Sequence, residues 1–537
     1  MTSPDSPGRG WSIRRAAAAV ALLTAASTAL GLVRDVVIAA VFGAGAALDA
    51  YLVAQGVMNL VLAIIAGAMA KSVTPQVARE AVAEGPQGGD GTRPAGACPG
   101  HRSFDVALTV TLGVLGIAAL VAAVLAAPIT AVLAPGFGPA ESALAADLTR
   151  WILLATVLVA GTNLLAAFGH AHGRFRWAAL EGIPFNLAMI VAAAAFGPRF
   201  GVHALAAGFV AGSALRLALQ LIPVRALRAP LRASLDVRDP GFRAIAAMVP
   251  ALVLTSAVGN VNALVDRAVA TTVAEGAVTA LSFGWRFVHL AETLLVAALL
   301  VPLYPAIAAV TDDVARRRRL IAEGLAASLV LTVPLAAGLA VAAPELAAVV
   351  FGHGAYDAAA VAATASATFW YAPALAAIGL RAVMIRASQA VGDARGLLWI
   401  SVVAMVVNVV GDLVLGPLFG IPGLAGATSA SIAIAALLNG ALLARRHEAI
   451  DLPALTASCA RVFGIGAAAA AAALGVRALL HAAGLPDLVV LACVGLTLMA
   501  VYAGLAFALR VPERRVLAQV AQLASPGRRA RRDEPPS

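Results

Sequence analysis

The residues of this chain that could do chemistry are ionisable and amide side chains set inside long apolar runs. Arg286, His289 and Glu292 recur at intervals of three within one run, which places them on roughly one helical face. Arg34 and Asp35 adjoin in another run, Asp49 opens the next, and Asn260, Asn262, Asp266 and Arg267 share a fourth. Arg216, Arg381, Asn408 and Asp412 stand in others. A charge at that depth is costly, so it is expected to face a cavity or a partner. The guanidinium fork suits phosphate, so the chemistry predicted is a grip on an anionic head group. Asp35, Asp266, His289, Glu292 and Asn260 are candidates for further cavity or ion-coupling groups. The competing expectation is that Arg34–Asp35 and Asp266–Arg267 neutralise one another, while Asp147, Arg150, Arg216 and Arg381 snorkel.

Bond-making chemistry finds no support. The chain has no Gly-x-x-x-x-Gly-Lys-Ser/Thr loop, no His-Glu-x-x-His and no Gly-x-Ser-x-Gly. Its cysteines, Cys98, Cys459 and Cys493, lie far apart without metal-ligand spacing. We expect no enzyme, no metal and no cofactor.

The elements that position these residues follow from composition. Of 537 residues, 61% are hydrophobic and 12% charged, against roughly 45–50% and about 25% in soluble domains. That apolar excess must face lipid. The net charge of +10 is not a nucleic-acid signal, because the basic residues sit between apolar runs, where they orient a membrane protein. The run after Arg14-Arg15 continues past Arg34-Asp35 to Phe42, so it reads as a retained helix, not a signal peptide.

A span needs about 20 apolar residues. Such runs predict an all-α integral membrane protein of fourteen helices, near 15–42, 48–72, 103–133, 144–168, 177–196, 203–224, 243–272, 277–308, 320–342, 358–387, 396–416, 423–444, 456–480 and 487–510. Alternate loops are basic: Arg14 and Arg15, then Lys71 to Arg102, Arg174 and Arg176, Arg225 to Arg243, Arg316 to Arg319, Arg395, Arg445 and Arg446. The opposite loops carry only Arg199 and Arg477. The alternation predicts an even number of spans with both termini cytoplasmic. Residues 1–14 are the expected N-terminal arm, 80–102 a disordered cytoplasmic loop, and 511–537 a basic tail.

The chain also repeats itself. Gly173-Arg174-Phe175-Arg176 parallels Gly392-Asp393-Ala394-Arg395, and Gly197 to Gly201 parallels Gly416 to Gly420, both offset by 219 residues. Ala126-Ala127-Pro128 likewise parallels Ala342-Ala343-Pro344. Residues 15–224 and 243–444 are thus two six-helix halves of one orientation, joined by 225–242, with two further helices in 445–510. Parallel repeats are a transporter architecture, with the substrate expected between the halves near the midplane.

Gly31-Leu32-Val33-Arg34-Asp35, then Phe42-Gly43-Ala44-Gly45 and Asp49-Ala50-Tyr51, resemble the first two helices of the lipid II flippases, the MurJ/MviN family of the multidrug/oligosaccharidyl-lipid/polysaccharide exporter superfamily. Val265-Asp266-Arg267, Gly276 to Leu281, Trp285-Arg286, and Gly416-Pro417 through Leu438-Asn439 agree. The resemblance spans residues 15–510. It implies a flippase that carries a polyprenyl-pyrophosphate-linked peptidoglycan precursor, lipid II, to the outer leaflet of the bacterial inner membrane by alternating access, for cell-wall synthesis. It also implies drive by an ion gradient or membrane potential, membrane lipids and the cell-wall machinery as partners, and no nucleic acid. Cavity roles carry over to Arg34, Arg286 and Asp49, and Arg267 is expected to compensate for missing charge. The chain departs from the family pattern at Thr28, Leu62 and Ala63, where the family is usually basic, and at Trp285, where it is acidic. The alternatives are a flippase for another lipid-linked polysaccharide, a drug/cation antiporter of the same superfamily, and a transport-inactive cell-wall scaffold.

Overall fold

In lipid every backbone N–H and C=O must be satisfied within the segment, so apolar runs of this length become helices. The computed structural model describes residues 7–83, 101–227, 231–295 and 314–509, and among them there is no β-strand. The first half contains α1 (Pro7–Phe42), α2 (Ala46–Ala83), α3 (His101–Val124), the short α4 (Ala126–Leu133) and α5 (Pro139–Ala171). The fifth predicted span is divided into α6 (Phe175–Leu180), α7 (Gly182–Val191), a π-helical turn at Ala192–Phe196 and α8 (Gly197–Phe200), and α9 (His203–Ala226) follows. Then come α10 (Pro240–Val273), α11 (Ala277–Leu295), α12 (Val314–Val341), the short α13 (Ala343–Phe351), α14 (Ala358–Ala390), α15 (Ala394–Phe419), α16 (Ile421–His447), α17 (Leu452–Ala482) and α18 (Asp487–Ala508).

A helix therefore stands at each of the fourteen expected positions. Among the described residues, eleven helices are long and apolar enough to cross a membrane. The count is twelve if α2, bent by 41° between Leu62 and Ala66, is one span. α10 and α11 are not among them, so fourteen crossings is not the number obtained. Most of the predicted loop (84–100), the tail (511–537) and the end of the eighth span (296–308) lie outside the described residues.

The repeat is visible in the backbone. α5 and α14 are each 33 residues long and begin 219 residues apart. Each half places a short helix, α4 or α13, ahead of that span. Gly201 (φ 59°) and Gly420 (φ 68°), again 219 apart, both take the left-handed conformation that ends one helix and starts the next. The sequence repeat is therefore a repeat of turn geometry.

By packing, the chain forms two compact units: Met1–Thr279 with His353–Asp357, and Ala280–Gly352 with Ala358–Ser537. In the first, Met69, Val73 and Val77 of α2 pack with Phe104 of α3, Leu164 and Phe168 of α5 and Ile245 of α10. In the second, α17 and α18 are built into the core: Val462, Ile465, Val494 and Tyr502 pack with Leu329, Val330 and Val333 of α12. Large apolar side chains such as Trp399, Leu418 and Leu437 stand exposed, as a lipid-facing surface requires.

Candidate functional site

Arg34 lies on α1, and its guanidinium is already engaged. Nε and Nη2 donate to Asp35 Oδ1 at 2.9 and 2.7 Å, and Nη1 donates to Asn186 Oδ1 at 3.0 Å. Asn186, on α7, in turn donates to the carbonyl of Ser27 at 3.1 Å. The Phe185 ring lies 5.9 Å below the guanidinium carbon. Side-chain exposure is 17% for Arg34 and 7% for Asp35, so this ion pair is largely removed from solvent. Removing the arginine would take two charge-assisted hydrogen bonds from a buried carboxylate, a costly way to break such a pair. Arg34→Ala is expected to cost about 2–4 kcal/mol of stability, and Arg34→Ala/Asp35→Ala to recover part of it, as read from thermal unfolding in detergent.

Asp49 sits in the first turn of α2 and is 1% exposed. It accepts from the N–H of Gly276 at 2.9 Å, and from the N–H and Oγ1 of Thr279 at 2.8 and 2.6 Å. The first N–H groups of a helix have no partner within it and attract negative charge, so Asp49 caps α11 from across the fold. The surrounding loops lock together: Ala355 N donates to Ala40 O at 2.8 Å, and Ala46 N to Glu275 Oε1 at 3.1 Å. Gly276, at φ 79°, has room for no side chain, since a Cβ would stand 2.7 Å from the Ala44 carbonyl oxygen.

Arg267 on α10 lays its guanidinium against Gly56 of α2, where a larger residue would collide with it. Asp266 and Asn260 share that helix and are half-buried. On α11, His289 Nδ1 and Glu292 Oε2 are 3.4 Å apart, with His289 about half exposed and Arg286 one turn away. Trp285, at a position where the resemblance leads one to expect an acid, packs edge-on against Tyr371, ring centroids 5.0 Å apart. Leu62 is buried and the Thr28 hydroxyl bonds within its own helix, to Thr24 O. The predicted residues thus divide: Arg34, Asp35, Asp49, Asn260, Asp266 and Arg267 belong to the first unit, Arg286, His289 and Glu292 to the second.

Sequence reasoning missed two buried clusters. Glu345 on α13, 1% exposed, accepts at Oε1 from Arg477 Nε at 2.6 Å and is 2.7 Å from His481 Nε2. Arg477 and His481 are four apart on α17 and so share a face; that spacing was the available signal. Asn408 and Asp412, one turn apart on α15, were visible only as polar residues in a span. They bond at 2.6 Å (Asn408 Nδ2 to Asp412 Oδ2), and Ser431 Oγ donates to Asn408 Oδ1 at 3.0 Å.

The family profile described as lipid II flippase MurJ matches residues 38–495. The lipid II flippase MurJ of Burkholderia cenocepacia is 29% identical over 445 residues, covering 80% of this chain and 82% of that protein. The probable lipid II flippase MurJ of Vibrio cholerae is 27% identical over 447 residues, covering 79% and 81%. In fold, the chain is similar to a solved lipid II flippase MurJ in an inward closed conformation, with TM-score 0.75, 17% identity and coverage of 92% and 99%. It is also similar to an inward-facing multidrug resistance MATE family transporter of the MOP superfamily, with TM-score 0.61, 15% identity and coverage of 80% and 95%. The profile begins at Ile38, just after Arg34 and Asp35, and runs through the helices that carry Asp49, Arg267, Arg286 and Asp412 into α18, and the chain belongs to the lipid II flippase MurJ family.

Proposed function

We propose that this protein is a multi-pass protein of the bacterial inner membrane, both termini cytoplasmic, that moves lipid II from the inner to the outer leaflet for cell-wall synthesis. The observation that carries this reading is the family match over 38–495, which takes in Asp49, Arg267 and Arg286 and begins four residues after Arg34. Arg286, with His289 and Glu292 on one face, is the part best suited to a hydrated cavity. A half-exposed histidine and a partly exposed carboxylate are poorly solvated by hydrocarbon. Guanidinium there complements pyrophosphate. Transport rather than bond chemistry follows, driven by an ion gradient or the membrane potential, with Asp266 and Glu292 as coupling candidates.

The test is complementation of a conditional lipid II flippase mutant by this gene and by its Arg286→Ala version. The wild type is expected to restore growth, and Arg286→Ala to reduce flipping at least tenfold, the loss of one charge-assisted contact. Failure of a correctly inserted wild type would sink the lipid II assignment, whereas rescue by Arg286→Ala would sink the role given to that arginine.

A further inference from the structure

We propose that the second unit holds an anionic glycerophospholipid in a cleft between the starts of α12 and α17. The cleft encloses about 350 Å³. Its α12 wall is Arg318, Arg319, Ala322 and Leu325, and its α17 wall is Asp451, Ala454, Leu455 and Ser458. On each helix these residues recur at three and four, so each presents one continuous stripe to the cleft. Farther along, the two helices close on each other through Val330, Val333, Val462 and Ile465. The cleft is the gap left where they diverge.

Its polarity is graded. Arg318 and Arg319 stand at the rim, beside the further basic residues Arg316 and Arg317. The one acid lining it, Asp451, is committed twice: Oδ1 caps α17 through the Ala454 N–H at 3.1 Å, and Oδ2 lies 3.4 Å from Arg318 Nη2. Asp451 therefore fixes Arg318 at the rim without cancelling the basic run. One turn farther along α17, Arg461 Nη2 donates to Ser458 Oγ at 3.1 Å, which keeps a third guanidinium next to the hydroxyl that lines the cleft. The remaining lining is apolar: alanine and leucine on two helices long and apolar enough to span a membrane, with Ala449 and Ile450 just ahead of α17. A charged rim over an apolar wall in a membrane helix pair matches an amphiphile, and basic pockets between helices on the cytoplasmic side bind lipid head groups. The loop charges assign this end to that side. The volume is at the small end of ligand pockets, fitting a phosphoglycerol head with its first methylenes and not a lipid-linked sugar peptide. A free phosphate would leave the apolar wall unused. Bound there, the lipid bridges α12 and α17 and fastens the last two helices to their unit.

The test is thermal unfolding of the purified full-length protein, stripped of lipid in nonionic detergent, with lipids added back. Phosphatidylglycerol is expected to raise the unfolding temperature, while phosphatidylcholine and inorganic phosphate do not. Arg318→Gln/Arg319→Gln should raise the phosphatidylglycerol concentration for half effect about thirtyfold, the influence of two surface charges. Ala454→Trp keeps both arginines and fills the cleft, so it should abolish the shift; it decides the matter if the double variant does not fold. Equal stabilisation of both variants, or of the wild type by phosphatidylcholine or phosphate, overturns the proposal.

Discussion

Asp49→Ala is expected to lose about 3–5 kcal/mol of stability and to fail in transport for that reason. The carboxylate takes three hydrogen bonds, from Gly276 N, Thr279 N and Thr279 Oγ1, in a site 1% exposed. Alanine would leave two buried N–H groups and a hydroxyl without their acceptor, and would remove the negative charge that the start of α11 favours. Asparagine keeps one acceptor oxygen but turns an N–H₂ toward donors, so Asp49→Asn should fall between the two. Because Gly276 is wedged against Ala44, the loop cannot shift to compensate. The measurement is the unfolding temperature in detergent beside a flipping assay. A variant with wild-type stability and no flipping would show instead that Asp49 acts on the substrate or a coupling ion.

The second large effect is expected at Glu345. Its carboxyl is buried, which by itself pushes the carboxyl pKa up. The hydrogen bonds from His481 and Arg477 outweigh that and hold it below the usual carboxylate range. Glu345→Ala should cost about 2–4 kcal/mol, at the lower end because Arg477 and His481 are 27% and 42% exposed and can reach solvent. The sign of the pH dependence follows from linkage. A carboxyl more acidic in the folded state than in the unfolded one contributes stability above its unfolded value, lost as pH falls through the folded one. Wild-type stability should therefore drop faster than that of Glu345→Gln below about pH 4.5, where free glutamate protonates. Parallel pH curves would show that the three-residue link contributes nothing.

These two sites also show where sequence reasoning stopped. Arg477 and Arg199 appeared as exceptions to the charge rule for loops. The fold accounts for both: Arg477 is held by Glu345, 132 residues away, and Arg199 lies 5.6 Å from the Phe200 ring. Asp49 carried no local mark of a cap, because the N–H groups it satisfies are 227 and 230 residues distant. Arg34 and Asp35 were legible as a self-neutralising pair, since adjacency in sequence suffices for that; Asn186, their third partner, was not.

The sequence by itself determined the all-helical membrane class, the approximate places of its long helices and the 219-residue repeat. Hydrophobic run length and turn glycines act locally, and lipid admits no competing backbone solution. Tertiary structure alone decided which charges are spoken for. An ion pair or cap between helices depends on which faces meet, and a helix closing on a distant loop leaves no periodicity in the chain. That is why Asp49 could be found as a buried acid, but not recognised as the residue that fastens the start of α11.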